Sequence, residues 1–429
     1  MTDSSIASGR RAGNPLTVWI FNHYALPVSE AGGSRHHAIG RTLAQWGHRV
    51  VVIASDRSYH SPLTSRLAAG ETARVEDHDG VSFLWVRTPA YASNGVARFR
   101  NMLSYAWRTG IGGALDGLPD PDVIIGSSPH PFAALAALRR ARAKRKPFIL
   151  EVRDLWPQSL IDVAGVSERH PAVLLFSAIE RLLYRQARTI VPLMPGAGEH
   201  IARVAGKACD VVCVQNGVDT SLLPAATPIP QNGRFTFMYA GAHGVANGLD
   251  VVLDAAARLE EQGMADRIRI RLVGEGPEKA RLIERSKQMA LRSVEFEAAV
   301  PKQDVYRRLA EADSFLMLLR DSPVFRFGIS PNKLFDYLAV GRPVIFGIGT
   351  PFNPIAESRA GITVPPSDPD ALAAAMLQMA GVDPAERQAM ADRGRAYVLE
   401  NHSFESLSRR IESVCARAVS GNSVRAGVK

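Results

Sequence analysis

The strongest constraint on the fold is a strand, glycine-rich loop and helix pattern that occurs twice, roughly 220 residues apart. In the first copy, the apolar strand Leu16–Asn22 precedes a loop that carries Gly32 and Gly33. In the second copy, Phe235–Ala240 is the strand and Gly241–Gly248 is the loop. Each copy is typical of the start of a doubly wound α/β sheet. Two copies at this separation predict two similar α/β domains rather than one large sheet.

Other apolar segments extend this alternation of strands and helices. The further predicted strands are Arg49–Ala54, Val123–Gly126, Phe148–Val152 and Ile268–Val273. After the second of these, Ser128 is the predicted N-cap of a helix and Pro129 its first residue.

The chain divides where its periodicity stops. Residues 220–234 are rich in Pro and Ala and lack a hydrophobic period, as expected of a linker. The predicted division is 1–14 as a disordered leader, 15–219 as the first domain, 220–234 as the linker, 235–400 as the second domain, 401–420 as a helix that packs back on the first domain, and 421–429 as a tail.

Composition narrows the functional classes. The sequence contains no run of about 18 apolar residues and no apolar signal core near Met1, so we expect a cytoplasmic protein without a transmembrane helix. The three cysteines match no metal-ligand spacing. The net charge of +9 suits phosphorylated small molecules or anionic membranes. No RNA- or DNA-binding motif is present, which disfavours a nucleic-acid partner.

Two segments carry much of the positive charge. Six of the eight residues in Arg139–Lys146 are Arg or Lys, which indicates either a solvated helix end or a patch for anionic lipid head groups. Ala97–Arg108 mixes Arg with large apolar residues at roughly helical spacing. This segment either packs on the core or faces a membrane. The protein could therefore be peripheral on the inner face of the cytoplasmic membrane.

The segment Phe327–Ile348 offers the clearest candidate for chemistry. Ser330 is the predicted N-cap and Pro331 the first residue of a helix. The free amides of Asn332 and Lys333, together with the lysine ammonium, would bind an anion at this helix N-terminus. Asp336 lies about one turn later and could accept hydrogen bonds from ribose hydroxyls. The alternative is an ordinary capped helix with both charged side chains in solvent.

The Gly241–Gly248 loop is the second element of this candidate site. It follows the first strand of its domain, at the edge where open α/β sheets bind ligands. Gly241 and Gly244 allow backbone amides to approach a pyrophosphate, and Asn247 is a polar side chain of the same loop. Glu275, in a second glycine-containing turn, is a further candidate donor contact. Neither loop has the spacing of a nicotinamide-binding motif.

Several segments together carry a family resemblance. They are the Gly32-Gly33 loop, LAQWGHRVVV (Leu43–Val52), EVRDLWPQS (Glu151–Ser159), ERLLYRQA (Glu180–Ala187), QNGVD (Gln215–Asp219), YAGAHGVANGLD (Tyr239–Asp250), VGEGPE (Val273–Glu278), the Ala312-Asp313 pair and PNKLFDYLAVGRPVI (Pro331–Ile345). In this order and spacing they resemble family four of the retaining glycosyltransferases, in particular the bacterial surface-polysaccharide subgroup typified by N-acetyl-fucosamine transfer.

The resemblance implies a GT-B architecture, in which two Rossmann-like domains face each other across a cleft. The second domain would bind a nucleotide-diphosphate sugar, and the first, through Gly32 and Gly33, would bind the acceptor. It also implies retention at the anomeric carbon, with no cofactor and no metal. The family pattern has two glutamates around the Pro331 helix. Here Asp336 aligns with the second glutamate and Gly328 with the first.

The diphosphate contacts also depart from the family pattern. The loop after Tyr239 lacks the usual Arg and Lys, and its polar side chains are His243 and Asn247. We therefore expect positive charge from Lys333, Arg320 or Arg326.

Polar residues of the first domain are candidates for acceptor chemistry. Arg153 stands where relatives place a histidine, and Asp154 keeps the neighbouring acid. The two form either a structural ion pair or an active-site pair, in which Asp154 would act on the acceptor hydroxyl. Glu151 is an alternative to Asp154 in that role. His130 either reaches the cleft or is a neutral structural side chain.

The predicted function is transfer of a sugar, through the resemblance an amino sugar from a UDP donor, to a saccharide or polyprenyl-diphosphate-linked acceptor. One alternative is a nucleotide-sugar epimerase of similar build. The other is a non-catalytic nucleotide-sugar-binding protein of a polysaccharide assembly complex.

Overall fold

The computed structural model describes residues 14–421, apart from residues 31, 60, 93–94, 163–164, 225–227, 230–232 and 302–303. The predicted leader up to residue 13, the tail after residue 421 and six residues of the predicted linker lie outside the described residues.

A seven-stranded sheet forms the first domain. Its strands are β1 (Thr17–Phe21), β2 (Arg49–Ser55), β3 (Ala73–His78), β4 (Val81–Val86), β5 (Val123–Ser127), β6 (Phe148–Val152) and β7 (Thr189–Pro192). Its helices are α1 (Arg35–Gln45), α2 (Val96–Gly110), α3 (Pro131–Lys144), α4 (Gln158–Asp162), α5 (Pro171–Gln186) and α6 (Ala197–Ala205). The strand order is β3-β4-β2-β1-β5-β6-β7, and β3 is antiparallel to β4.

A six-stranded parallel sheet forms the second domain. Its strands are β8 (Phe235–Ala240), β9 (Ile268–Val273), β10 (Val294–Glu297), β11 (Ser314–Leu318), β12 (Val344–Gly347) and β13 (Gly361–Thr363). The remaining helices are α7 (Asp250–Glu261), α8 (Lys279–Gln288), α9 (Val305–Leu309), α10 (Asn332–Val340), α11 (Pro354–Ser358), α12 (Pro369–Gly381), α13 (Pro384–His402) and α14 (Phe404–Ser420). The strand order is β10-β9-β8-β11-β12-β13.

Two Rossmann-like parallel-sheet domains are therefore confirmed. In each sheet the strand order reverses beside the first strand of the domain, between β1 and β5 and between β8 and β11. A crevice opens at such a reversal, outside the carboxyl ends of the strands. The loops that carry Gly33 and Gly241 both leave the sheets at these reversals.

The chain passes between the domains twice, and the two passages touch. The amide of Val218 donates to the His402 carbonyl (2.9 Å), and the amide of Phe404 donates to the Val218 carbonyl (3.1 Å). Beyond this point α14 buries Leu407 and Val414 in the core of the first domain, beside Ile39 of α1. The last helix therefore belongs structurally to the first domain.

Two predicted helix starts are wrong by one or two residues. Helix α3 begins at Pro131 rather than Pro129, and α10 begins at Asn332 with Pro331 as its N-cap. Ser128 is instead paired with the neighbouring strand, because its amide donates to the Glu151 carbonyl (3.0 Å). The Ser330 hydroxyl accepts from the amide of Asn216 (2.7 Å), so it joins the domains rather than capping α10.

Candidate functional site

Both domains line a cavity of about 300 Å³. The first domain contributes Gly32, Gly33 and Arg153, and the second contributes Asn332 and Asp336. The glycines follow β1 and Arg153 follows β6, so the cavity lies at the carboxyl edge of the first sheet. This is the edge at which open α/β sheets bind their ligands.

Helix α10 is fixed against the end of β8 by one tyrosine. The Tyr337 hydroxyl donates to the Ala240 carbonyl (2.9 Å) and accepts from the Ala240 amide (2.8 Å). Its ring also stacks on Phe315 of β11, with 4.0 Å between ring centroids. Lys333 precedes Tyr337 by about one turn and is thereby held beside the glycine-rich loop.

The half-buried Lys333 ammonium sits in a cage of neutral groups. Its Nζ donates to Tyr239 Oη (2.9 Å) and to Asn247 Oδ1 (2.5 Å), and it lies 4.4 Å from the centre of the Tyr239 ring. Burial lowers the pKa of Lys333 to about 7. Among the described residues no carboxylate is within 4.0 Å of this ammonium. The cage therefore holds a cation that an incoming anion could neutralise.

The Gly241–Gly248 loop wraps around this lysine. A Cβ on Gly241 would lie 3.3 Å from Lys333 Cδ, and Gly248 has φ +58°. Asn247 stabilises the loop from within, because its Nδ2 donates to the Ala242 carbonyl (2.9 Å). Gly244 precedes the short 3₁₀ turn that carries Asn247. The loop brings backbone and lysine together as the sequence analysis predicted for a phosphate site.

His243 does not supply positive charge to the loop. Its ring is fully buried, and neither ring nitrogen has a hydrogen-bond partner within the described part of the chain. Burial lowers its pKa, and the nearby ammonium groups of Lys279 and Lys333 act in the same direction. The imidazole is therefore neutral.

Two other predicted donor contacts lie at the margin of the loop. The Arg320 amide donates to the Ala246 carbonyl (3.0 Å), and its side chain is exposed beside Gly248. The Glu275 carboxylate accepts from Lys279 Nζ (2.8 Å), and this hydrogen bond lowers the pKa of Glu275. Arg320 therefore has access to a ligand in the loop, whereas Glu275 forms an ion pair at the surface.

Asp336 points into the interdomain cavity and has a partner that the sequence analysis missed. Tyr306 Oη donates to Asp336 Oδ1 (2.8 Å), and both residues line the cavity with Val300 and Val305. Burial and the adjacent carboxylate raise the pKa of Tyr306, which stays protonated. Tyr306 lies 30 residues from Asp336 along the chain, so no local pattern could have linked them.

Arg153 and Asp154 face different spaces. Arg153 lines the interdomain cavity, whereas Asp154 lines a separate, small cavity with Trp156 and Glu180. Asp154 keeps part of its surface exposed, yet the dense protein around its carboxylate raises its pKa, against the opposing effect of Arg153. The structure therefore does not bring the two side chains together in one site.

Glu151 is buried beneath the cavity, and both of its carboxylate oxygens accept hydrogen bonds from other elements of the fold. It accepts from Arg35 Nε (2.9 Å), His36 Nε2 (2.7 Å) and the Ser127 hydroxyl (2.6 Å). Burial alone would raise its pKa, but His36 and Arg35 hold the pKa of Glu151 well below its usual value. Arg35 also donates to the Val214 carbonyl (2.8 Å). Glu151 thus joins α1, β5 and β6 to the segment that leads into the second domain.

His130 is the N-cap of α3 and is buried. Its Nε2 is 3.0 Å from His23 Nδ1. Burial lowers the pKa of His130 well below its ordinary value, so the ring is neutral. It does not line the interdomain cavity.

Gly328 stands where the family pattern has its first glutamate, and the structure gives a reason for glycine. It has φ +93°, and a Cβ there would lie 2.5 Å from Pro195 Cδ of the first domain. The neighbouring Arg326 lines a second interdomain cavity of about 850 Å³ with Arg203 and Phe352. A close contact between the domains therefore replaces the missing acid.

The sequence was also compared with known families. Residues 234–381 match the profile described as "Glycosyl transferases group 1", and residues 32–217 match "Glycosyl transferase 4-like domain". Together the two matches span most of the chain. The chain therefore carries two glycosyltransferase domains, the second of them of group 1.

Curated relatives of this two-domain chain are named for colanic acid biosynthesis. The glycosyltransferase WcaL of Salmonella typhimurium (strain LT2) is 29% identical over 170 residues, which is 39% of this chain and only 41% of WcaL. The glycosyl transferase WcaI of Escherichia coli (strain K12) is 23% identical over 359 residues, covering 78% of this chain and 85% of WcaI.

Solved structures show the same GT-B fold at low sequence identity. Sucrose-phosphate synthase from Thermosynechococcus elongatus has a TM-score of 0.71 at 15% identity and covers 95% of this chain and 100% of its own. A trehalose-6-phosphate protein from E. coli, bound with UDP-2-fluoro glucose, has a TM-score of 0.68 at 12% identity. This match covers 93% of the present chain and 98% of the E. coli chain.

Within the described residues, no three His, Cys, Asp or Glu side chains form a group that could hold a metal ion. None of the helices in that part of the chain is long and apolar enough to cross a membrane.

Proposed function

We propose that this chain transfers a sugar from a nucleoside-diphosphate sugar to an acceptor in surface polysaccharide biosynthesis. The observation that carries the proposal is the caged Lys333 ammonium beside the Gly241–Gly248 loop, one helical turn from Asp336. A cation and free amides suit a diphosphate, and a carboxylate one turn away suits ribose hydroxyls.

In the proposed reaction, the bond between the anomeric carbon and the diphosphate oxygen breaks as the acceptor oxygen bonds to the same carbon. The acceptor proton passes to the departing diphosphate, which carries away the electron pair. Negative charge therefore accumulates on the diphosphate, where Lys333 and the amides at the start of α10 would stabilise it. Attack from the face that the diphosphate leaves would retain the anomeric configuration.

The identities of the donor and the acceptor, and the place of action, are also proposals. The amino sugar is supported by the subgroup resemblance alone, whereas UDP is also supported by the UDP-2-fluoro glucose bound in a structural relative. A saccharide or polyprenyl-diphosphate-linked acceptor is supported by relatives named for colanic acid biosynthesis. Among the acceptor-side candidates, Arg153, Gly32 and Gly33 line the cavity. Asp154 would need a rearrangement to reach an acceptor there. We propose a cytoplasmic site of action and no metal requirement.

The test is nucleotide release from a panel of UDP-, GDP-, dTDP- and ADP-sugars, with and without membrane extract as acceptor. The proposal expects release from one donor, increased by the extract. Conversion of a donor without release would indicate an epimerase. Thermal stabilisation by a nucleotide without any turnover would indicate a binding protein.

A further inference from the structure

Large apolar side chains are exposed on two helices of the first domain. On α2, Val96 (78% exposed), Phe99, Leu103 and Trp107 (60%) recur every three or four residues and so share one face. On α5, Leu174 (59%), Leu175 and Leu182 are also exposed. With Ile111 after α2, these residues are eight of the fifteen large apolar side chains exposed in the described part of the chain. The exposed apolar surface is therefore concentrated rather than scattered.

The same helices and α3 between them are strongly basic. Together α2, α3 and α5 carry nine Arg or Lys residues and one acidic residue, Glu180. Glu180 is buried and bonded to His200 (3.2 Å), so it offsets no surface charge. The exposed cations of the three helices are Arg100, Arg139, Arg142, Arg181 and Arg185. Nine cations and one acidic residue give these three helices a net charge of +8, compared with +9 for the whole chain.

The three helices pack side by side through aromatic rings. The ring centroids of Phe99 on α2 and Phe132 on α3 are 5.5 Å apart, and those of Phe132 and Phe176 on α5 are 5.6 Å apart. At the same end, Arg98 Nε donates to the hydroxyl of Tyr24, which follows β1 (3.3 Å). The surface thus begins at the carboxyl edge of the first sheet, the edge that lines the interdomain cavity.

We propose that α2, α3 and α5 form a docking surface for a bilayer with anionic lipid head groups. Exposed apolar side chains would enter the interface, and the flanking arginines would pair with lipid phosphates. A second copy of the chain fits less well, because two such surfaces would bring like charges together. The inference rests on the proposed function in one respect only: the docking surface would place the cleft beside a lipid-linked acceptor.

The test is vesicle flotation of the full-length protein without donor or acceptor, so its outcome is independent of catalysis. Phosphatidylcholine vesicles with and without phosphatidylglycerol are compared at low and high salt. The apolar variant is Leu103→Ser/Trp107→Ser, with Leu63→Ser/Val419→Ser as a matched pair of exposed apolar changes elsewhere. The charge variant is Arg139→Gln/Arg142→Gln, with Arg292→Gln/Arg409→Gln as its match. Thermal unfolding and donor binding verify that each variant is folded.

The proposal expects the wild type to float with anionic vesicles at low salt and to be released at high salt, which screens exposed charges. The apolar variant should partition at least about tenfold more weakly, since it removes two side chains that bury apolar area. The charge variant should also weaken binding, while both control pairs bind like the wild type. Absent flotation, or equal losses in test and control pairs, would overturn it. So would a wild-type dimer that dissociates in the apolar variant without any vesicle binding.

Discussion

At the residue scale, Lys333 is the side chain on which the proposed chemistry depends most. Its partners Tyr239 and Asn247 offer oxygens and a ring face but no negative charge. An unneutralised, half-buried ammonium is unfavourable on its own, as its lowered pKa shows. A bound diphosphate would supply the missing charge.

We expect Lys333→Ala to lower turnover at least about tenfold, because charge-assisted hydrogen bonds contribute about 1.5–3 kcal/mol. Steady-state kinetics with the identified donor measures this. Lys287→Ala, at an exposed position on α8, is the matched control and should have no effect. Unchanged turnover in Lys333→Ala would remove the lysine from the scheme.

Donor affinity should depend on pH through the same group. The pKa of Lys333 is about 7 in the free site. A diphosphate favours the ammonium form, so binding takes up a proton, and Kd should rise as pH rises through this value, by at most about tenfold per pH unit. Calorimetry across this range measures the effect. Lys333→Arg stays protonated and should lose the dependence; a wild-type Kd that is flat with pH would contradict the assignment.

Tyr306 and Asp336 should act as a pair in nucleotide binding. Asp336→Ala removes the proposed ribose contact, and Tyr306→Phe removes the hydroxyl that orients the carboxylate. Each should weaken binding, Tyr306→Phe by about 1.5–3 kcal/mol at most. The double variant should lose less than the sum of the single losses. Additive losses in calorimetry would show that the two side chains act separately.

At the element scale, the segment before α10 is shaped by the other domain. Gly328 abuts Pro195, and Ser330 and Asn216 are joined by hydrogen bonds. The Asn216 side chain donates to the Ser330 carbonyl (2.6 Å), and its amide donates to the Ser330 hydroxyl (2.7 Å). The anion-binding end of α10 therefore depends on the position of the first domain.

Gly328→Ala tests this contact. It should destabilise the protein by about 2–3 kcal/mol, through strain at positive φ and the clash with Pro195. Gly117→Ala is the matched control, because Gly117 has φ +84° with nothing within 4 Å of a Cβ. That change should cost only about 1–2 kcal/mol of backbone strain. Equal shifts in Tm for both variants would mean that the two domains can move apart at Gly328 without a loss of stability.

Sequence reasoning located elements well and their partners poorly. β6 and β8 match their predicted bounds because buried parallel strands are continuous apolar runs. The starts of α3 and α10 were misplaced because Ser128 and Ser330 bond to distant backbone groups instead of capping a helix. The same limit applies to the site. Lys333 and Asp336 stand out in one helical turn, whereas Tyr306 and the network around Glu151 form only through tertiary contacts.

At the scale of the whole molecule, two connecting segments bound the cleft, because the chain crosses between the domains twice. These two segments are hydrogen-bonded to each other. One runs through Val218, and the other lies between α13 and α14. A Cβ on Gly217 would lie 2.1 Å from the His402 carbonyl oxygen, so the passages are in tight contact. Since α14 packs into the first domain, relative movement of the domains would have to bend both passages together.

The most direct test of the proposed sugar transfer follows a labelled sugar from the identified donor into product. We expect the label to move into the acceptor fraction of membrane extract, with one nucleoside diphosphate released per sugar. Lys333→Ala should reduce this transfer, while Lys287→Ala should not. Label that remains in a nucleotide sugar, or a donor that binds without any transfer, would contradict the proposal.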